Sequence, residues 1–292
     1  MALWGTNKEA VIDYNYGFHK LELVVNIMEK KVEESAFGID GKPSCIKTGK
    51  YARGCFAKQE LSYDNKGNLI DLNYFGIDGK PAKVNGYSKI SLIYDEKGYE
   101  IKRTALALDQ KGNPTEIAAG YVKYITINDV ENKLFEISFF DSNDQLALNK
   151  KEGYAKMYKR VNSNGNVIEA AFFGDDGKPV LVKEGFAKQV ADYDEQGKNI
   201  KLAFFGIDGQ PIGIEGGLSV IASKFNNKGS EVEESFFGID GNLIINKRYG
   251  CARRSRQYDN KGNNTESACF GEDNKLIVSK DGYAKKTQQY DD

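Results

Sequence analysis

One histidine, His19, occurs in 292 residues. Serine or cysteine chemistry that leans on an imidazole base would have to run through it. It stands in a slot that sister segments fill with Ala57, Ser88, Ala155, Ala187 and Ala252, which marks it as a structural residue. The four cysteines, Cys45, Cys55, Cys251 and Cys269, form no Cys-x-x-Cys pair, so the spacing of a zinc site is missing. No run approaches the ~20 apolar residues of a membrane helix, and no membrane span is expected. Forty-one Lys and Arg stand against 42 Asp and Glu, a net charge of −1. Nucleic acid, which asks for a basic face, is therefore not an expected partner; the short basic stretch Arg253-Arg254 with Arg256 reads as a solvated strand face. Neither glycine-rich phosphate loop is present, and no cofactor is implied.

Repetition fills the space these absences leave. Phe-Gly-Ile-Asp-Gly occurs at Phe37–Gly41, Phe75–Gly79, Phe205–Gly209 and Phe237–Gly241, with weaker copies at Phe173–Gly177 and Phe270–Asn274 and degenerate ones at Leu106–Gln110 and Phe140–Asp144. Tyr-Asp-x-x-Gly alternates with it, at Tyr63–Gly67, Tyr94–Gly98, Tyr193–Gly197 and Tyr258–Gly262, with related forms at Val161–Gly165 and Phe225–Gly229. Seven residues before each Tyr-like position sits another aromatic or apolar residue, as at Tyr87, Tyr154, Phe186, Leu218, Cys251 and Tyr283. The result is about eight units of ~32 residues.

Glycine accepts positive φ and Asp or Asn bonds its own local backbone, so each motif is a turn. The segments between turns are about seven to nine residues, the length of strands. The five prolines, Pro43, Pro81, Pro114, Pro179 and Pro211, all follow the second turn, where a strand can begin without an N–H. Aligned columns give two faces by the two-residue strand period. One carries Ala36, Tyr74, Ala105, Phe139, Phe172, Phe204, Phe236 and Cys269; the other carries Glu33, Asp71, Lys102, Glu136, Glu169, Lys201, Glu233 and Glu266, and then the repeated Phe itself. A single hairpin is marginal in water, so units must stack their aromatic columns into ladders. Cys251 and Cys269 fall in apolar columns and are expected as small buried hydrophobes of a reducing compartment; a bridge between Cys45 and Cys55 stays open.

The fold expectation is all-β: tandem β-hairpins forming an open or solenoid-like sheet, with a closed propeller-like ring as the alternative. Residues 1–16 match no unit and are expected as a leader or cap, with residues 17–292 as one repeat domain. Regular repetition without a unique polar cluster points to a non-enzymatic module for protein interaction, scaffolding or display. A glycan partner is the alternative, stacking on a row formed by Tyr63, Tyr94, Tyr193 and Tyr258. An enzyme would need a site at the degenerate repeats, residues 102–145. The carboxylate pairs Asp175/Asp176 and Glu33/Glu34 belong to turns and strand faces. Asp40, Asp78, Asp176, Asp208 and Asp240 recur as calcium ligands do, but each stands alone beside Gly, mostly with Lys following, and calcium wants six to eight oxygens; they are read as turn formers and no metal is expected. The N-terminus lacks a basic segment followed by an apolar one, so the chain reads as cytoplasmic, with an exported fragment left open, as is the oligomeric state.

The Tyr-Asp-x-x-Gly-Asn turn of Tyr63–Asn68 and Tyr258–Asn263 resembles the YD repeats of bacterial Rhs-type proteins. The Phe-Gly-x-Asp-Gly-Lys-Pro half is similar to MORN-variant and WG-type β repeats of bacterial proteins. Together these motifs cover about residues 17–292, although the unit is longer than a MORN repeat and its turns lack the WG signature. The resemblance implies β-sheet shells, solenoids or propellers used for binding, encapsulation or display.

Overall fold

The computed structural model describes residues 17–47 and 54–291; the expected leader, residues 1–16, lies outside them. The chain divides into two compact units, residues 1–151 and 152–292. The first contains β1 (Lys20–Asn26), β2 (Lys31–Phe37), β3 (Ile46–Lys47), β4 (Cys55–Phe56), β5 (Lys58–Tyr63), β6 (Leu69–Phe75), β7 (Lys89–Tyr94), β8 (Glu100–Leu106), β9 (Lys123–Asp129) and β10 (Leu134–Phe140). The second contains β11 (Lys156–Val161), β12 (Val167–Phe173), β13 (Lys188–Tyr193), β14 (Asn199–Phe205), β15 (Val220–Phe225), β16 (Glu231–Phe237), β17 (Arg253–Tyr258), β18 (Asn264–Phe270) and β19 (Lys285–Thr287). Among the described residues the only helical segment is a 3-10 turn at Glu215–Gly217.

Each unit is an open antiparallel meander of four hairpins. In the first, β1/β2, β5/β6, β7/β8 and β9/β10 are the hairpins, and β2–β5, β6–β7 and β8–β9 join them. In the second, β11/β12, β13/β14, β15/β16 and β17/β18 are joined in the same way, with β19 added against β18. The all-β, open-sheet expectation holds.

The Tyr-Asp turn works by carboxylate capping. Asp64 Oδ1 accepts the N–H groups of Lys66 and Asn68 at 2.8 and 2.9 Å, and Gly67 provides the positive φ of 86° that a residue with a Cβ resists. Asn162 and Asn226 accept the same pair of N–H groups through Oδ1. At the Tyr-like position the hairpin register slips by one residue, as between Ser62 and Tyr63, a β-bulge that adds local twist. Hairpins β1/β2 and β9/β10 have neither motif nor slip, and their turns run through Lys30 and Lys133 at φ 52° and 54°.

After the second turn the chain doubles back over the end of strand two. Pro43, Pro81, Pro179 and Pro211 bridge Phe37, Phe75, Phe173 and Phe205. The residue beyond each proline donates to the carbonyl one place before that Phe, as Ala82 does to Tyr74 at 2.9 Å, so the missing proline N–H costs nothing. One alignment needs correction. The degenerate second turn is not Leu106–Gln110, because Leu108 bridges Pro114 and Asp109 N–H bonds the Asn113 carbonyl. Two extra residues follow strand β8, and Lys123 opposes Leu106 where Lys89 opposes Asn73.

The linkers cover one face and make the core. In the second unit Val182, Phe186, Phe204, Leu218 and Phe236 are buried, with linker residues Ile212, Ile214, Ile244 and Tyr249 against them. In the first, Ala36, Ile46, Phe56 and Val84 form the corresponding cluster. Each hairpin contributes one rung: Phe56 meets Tyr74 at 5.0 Å, Tyr121 meets Phe139 at 4.5 Å, Tyr154 meets Phe172 at 5.1 Å and Phe186 meets Phe204 at 5.0 Å between ring centroids. All four pairs have the same sequence separation as Cys251 and Cys269, 18 residues. Those cysteines are not unpaired hydrophobes: they are joined as a disulfide with Cα atoms 5.4 Å apart. The fold brings the two slots together in every hairpin, and here thiols occupy both. Cys45 and Cys55 are bridged as well, with Cα atoms 5.5 Å apart.

Candidate functional site

The repeated Phe lies on the other face and is half-buried rather than part of the core. Its cover is a cation. Lys58 lies 4.8 Å from the Phe75 ring, Lys188 4.9 Å from Phe205 and Arg253 3.7 Å from Phe270, within cation–π range. Two of these cations also reach back to the preceding hairpin, Lys58 to Glu33 and Arg253 to Glu233, both at 3.3 Å, and Lys89 and Lys285 at the same strand position reach Asp71 at 3.6 Å and Glu266 at 2.8 Å. The face that the sequence marks as charged is thus a repeated clamp between neighbouring hairpins.

Tyr63, Tyr94, Tyr193 and Tyr258 each end strand one at the register slip, and all four are half-buried. Tyr193 donates its hydroxyl to the Val167 carbonyl and Tyr258 donates to that of Glu231, both at 3.0 Å. Tyr290 repeats the contact with Asn264 at 3.0 Å; it opens another Tyr-Asp pair and was not among the expected residues. The acceptor is in each case the first residue of strand two in the hairpin before. These hydroxyls are inter-hairpin staples, and their repeat spacing was the available signal.

The degenerate region, residues 102–145, closes the same turns: Asp109 Oδ1 accepts N–H groups from Lys111 and Asn113, and Asp141 Oδ1 from Asn143 and Gln145. Nearby, the Tyr87 and Tyr121 hydroxyls lie 2.6 Å apart; burial, aided by that contact, drives the Tyr87 phenol far above its usual range and keeps it protonated. Asp40, Asp78, Asp176, Asp208 and Asp240 each accept the N–H two residues on at 2.9 to 3.1 Å. Their carboxylates cap turns. His19 is buried.

One surface departs from the repeat. On the core-side face, the slot of Arg254 holds Ile90, Tyr124, Met157 and Ile221 in other hairpins but Gln59 and Gln189 in two, and the slot of Arg256 holds Leu61, Leu92 and Ala191 but also Thr126, Lys159 and Ser223; no other described hairpin has a cation in both. Glu234 stands where Leu72, Ile137 and Leu202 stand, and where Glu34 and Arg103 stand as well. Arg254 pairs with Glu234 at 3.2 Å and Arg256 pairs with Glu231. The stretch is therefore not a solvated strand face: the side chains of Arg253, Arg254 and Arg256 are only 18%, 21% and 20% exposed. Burial, with the like charge of Glu231, pushes the Glu234 carboxyl above its ordinary range against the pull of Arg256 and Arg248.

These residues wall a cavity of about 340 Å³ lined by Arg248, Tyr249, Arg254, Arg256, Ser267 and Asp281, with the Cys251–Cys269 bridge also in its wall. That volume suits a side chain or small ligand group. The Arg254 guanidinium lies 3.8 Å from the Tyr249 ring and that of Arg248 5.3 Å from it. Sequence alone carried a weak signal, since the columns of Arg254, Arg256 and Glu234 mix apolar and polar residues, and the pairing of slots across neighbouring hairpins was needed to bring the three together. Among the described residues no group of three or more His, Cys, Asp or Glu is placed to hold a metal ion, and no helix is long and apolar enough to cross a membrane.

No family model matches the chain, and no curated protein matches it. Among solved structures, TcdB2-TccC3-TEV is 11% identical over 92% of this chain with a TM-score of 0.26. The Photorhabdus luminescens Tc holotoxin pore with mutated TccC3 is 10% identical over 91% of this chain with a TM-score of 0.27. This chain spans 15% and 16% of those two chains.

Proposed function

We propose that this chain is a non-enzymatic β-repeat scaffold that binds another protein through the polar surface of hairpins β15/β16 and β17/β18. The observation that carries the reading is the gathering of three guanidinium groups, on Arg248, Arg254 and Arg256, around one cavity beside Tyr249. Partly buried ion pairs are poor sources of stability; a binding role accounts for the three guanidinium groups around one cavity. The two disulfides support an oxidising compartment as the site of action, since such bridges form and persist there.

The test is site-specific photo-crosslinking in cells of the source organism, with p-benzoylphenylalanine at Lys247 beside the cavity and at Lys201 on β14 as control; both positions are exposed. The expected outcome is a polypeptide adduct at Lys247 and none at Lys201. No adduct at Lys247, or equal adducts at both, refutes the reading.

A further inference from the structure

We infer that the Tyr249 cavity and the depression beside it receive an acidic, extended segment of the partner polypeptide, with Arg248 at its centre. This rests on the protein-binding reading and names the chemistry of the partner. The cavity lining carries three guanidinium groups, on Arg248, Arg254 and Arg256, against one carboxylate, Asp281. Of its hydroxyls, Ser267 already donates to Asn264 Oδ1 at 3.0 Å, while Ser279, which accepts the Asp281 N–H, and Tyr283 can donate. Such a wall is complementary to a ligand rich in acceptors.

Geometry adds direction. A guanidinium stacked on an aromatic ring still has its edge N–H groups free to engage a carboxylate in the plane, and Arg254 and Arg248 both lie against Tyr249. Glu234 and Glu231, which pair with Arg254 and Arg256, stand outside the cavity lining. They hold the guanidinium groups without filling the space in front of them.

A single small anion would occupy one cavity. Here a second, open depression of about 650 Å³ adjoins the first, lined by Glu215, Lys247, Arg248 and Lys280 among others. Arg248 belongs to both linings. Five cations therefore line the two depressions, which meet at Arg248, against Asp281 and Glu215, in a chain whose net charge is −1. Charge complementarity of this local kind selects an acidic chain of several residues.

The experiment is fluorescence anisotropy of the full chain with a labelled hexaglutamate peptide, a hexaglutamine peptide as control and inorganic phosphate as competitor. Hexaglutamate should bind saturably and hexaglutamine should not. Arg248→Ala removes an exposed guanidinium and leaves both ion pairs intact; it should weaken binding roughly tenfold or more, while Lys201→Ala leaves it unchanged. Thermal unfolding of each variant confirms that the fold persists. Equal binding of the two peptides, or equal loss in the two variants, overturns the acidic specificity and leaves the protein-binding reading to its crosslinking test. Binding of phosphate without hexaglutamate overturns the polypeptide source, and no binding of any probe overturns the inference outright.

Discussion

The Asp259 carboxylate accepts the N–H groups of Lys261 and Asn263 at 2.9 and 2.8 Å and the Asn263 side-chain amide at 2.9 Å. Those bonds, the Asn263 amide foremost, hold it below the usual carboxylate range, and Asp64 is lowered in the same way by Asn68. The sign follows from linkage. A carboxyl depressed in the folded state contributes stability in full above its unfolded value, and that contribution is lost as pH falls through the folded one. Stability should therefore fall below about pH 4, in steps shared by the capped turns. Asn162 and Asn226 bond the same positions with a neutral amide, so Asp259→Asn should keep the turn but lose the charge-dependent contribution: its thermal midpoint should fall modestly at pH 7, approach the parent's at low pH, and show a weaker acid dependence. Asp259→Ala, which removes the acceptor, should lower the midpoint at pH 7. Thermal melts from pH 2 to 7 check both, and an unaltered acid profile in Asp259→Asn would refute the assignment. Turn residues of this kind are fully legible in a sequence, because an Asx turn is local: the carboxylate, the N–H groups and the Gly67 or Gly262 that follows all lie within five residues.

At the scale of the hairpin, the rung is the unit of stability. It pairs a residue ahead of strand one with the penultimate residue of strand two, and the disulfide stands where two aromatic rings stand elsewhere. Cys251→Ala with Cys269→Ala removes a bridge closing 18 residues of chain, a loss of about 3 kcal/mol, and leaves the slot underfilled besides. Cys251→Phe with Cys269→Phe restores the ring pair of Phe186 and Phe204 and should recover most of that loss. Urea denaturation of the two double variants checks it; a Phe pair no more stable than the Ala pair would refute the equivalence of the rungs. The eight hairpins were legible from turn motifs and alternation, whereas the rung was not. Strand alternation assigns a residue to a face but does not say which slot on the neighbouring segment it meets. The same limit explains Leu106: its place opposite Lys89 satisfies the strand register, and only the bridge from Leu108 to Pro114 exposes the two extra residues. The polar cavity escaped for a further reason, since Arg254 looks solvated until Tyr249 and Glu234 arrive from other segments.

For the molecule as a whole, the two bridges divide evenly, Cys45–Cys55 in the first unit and Cys251–Cys269 in the second. The sequence reading treated Cys251 and Cys269 each as one apolar residue in its own column, and their pairing became visible only with the fold. Secreted and periplasmic chains keep such bridges, while cytosolic thiols are held reduced. Protein recovered from its native source without reductant should accordingly yield no reactive thiol on denaturation, and four after reduction, since no described cysteine is free. The consequences of reduction should be local. In a stacked array each hairpin depends mainly on its neighbours, and the main core cluster of the second unit, centred on Phe186, Phe204 and Phe236, contains neither cysteine. Hydrogen exchange after reduction should show lost protection in β17, β18 and β19, with β13 and β14 unchanged. Because Arg254 and Arg256 stand on β17 and the bridge walls their cavity, the cavity wall should loosen with it, while loss of protection throughout β11–β16 would mean that the unit folds as one indivisible block and that the rungs do not act separately.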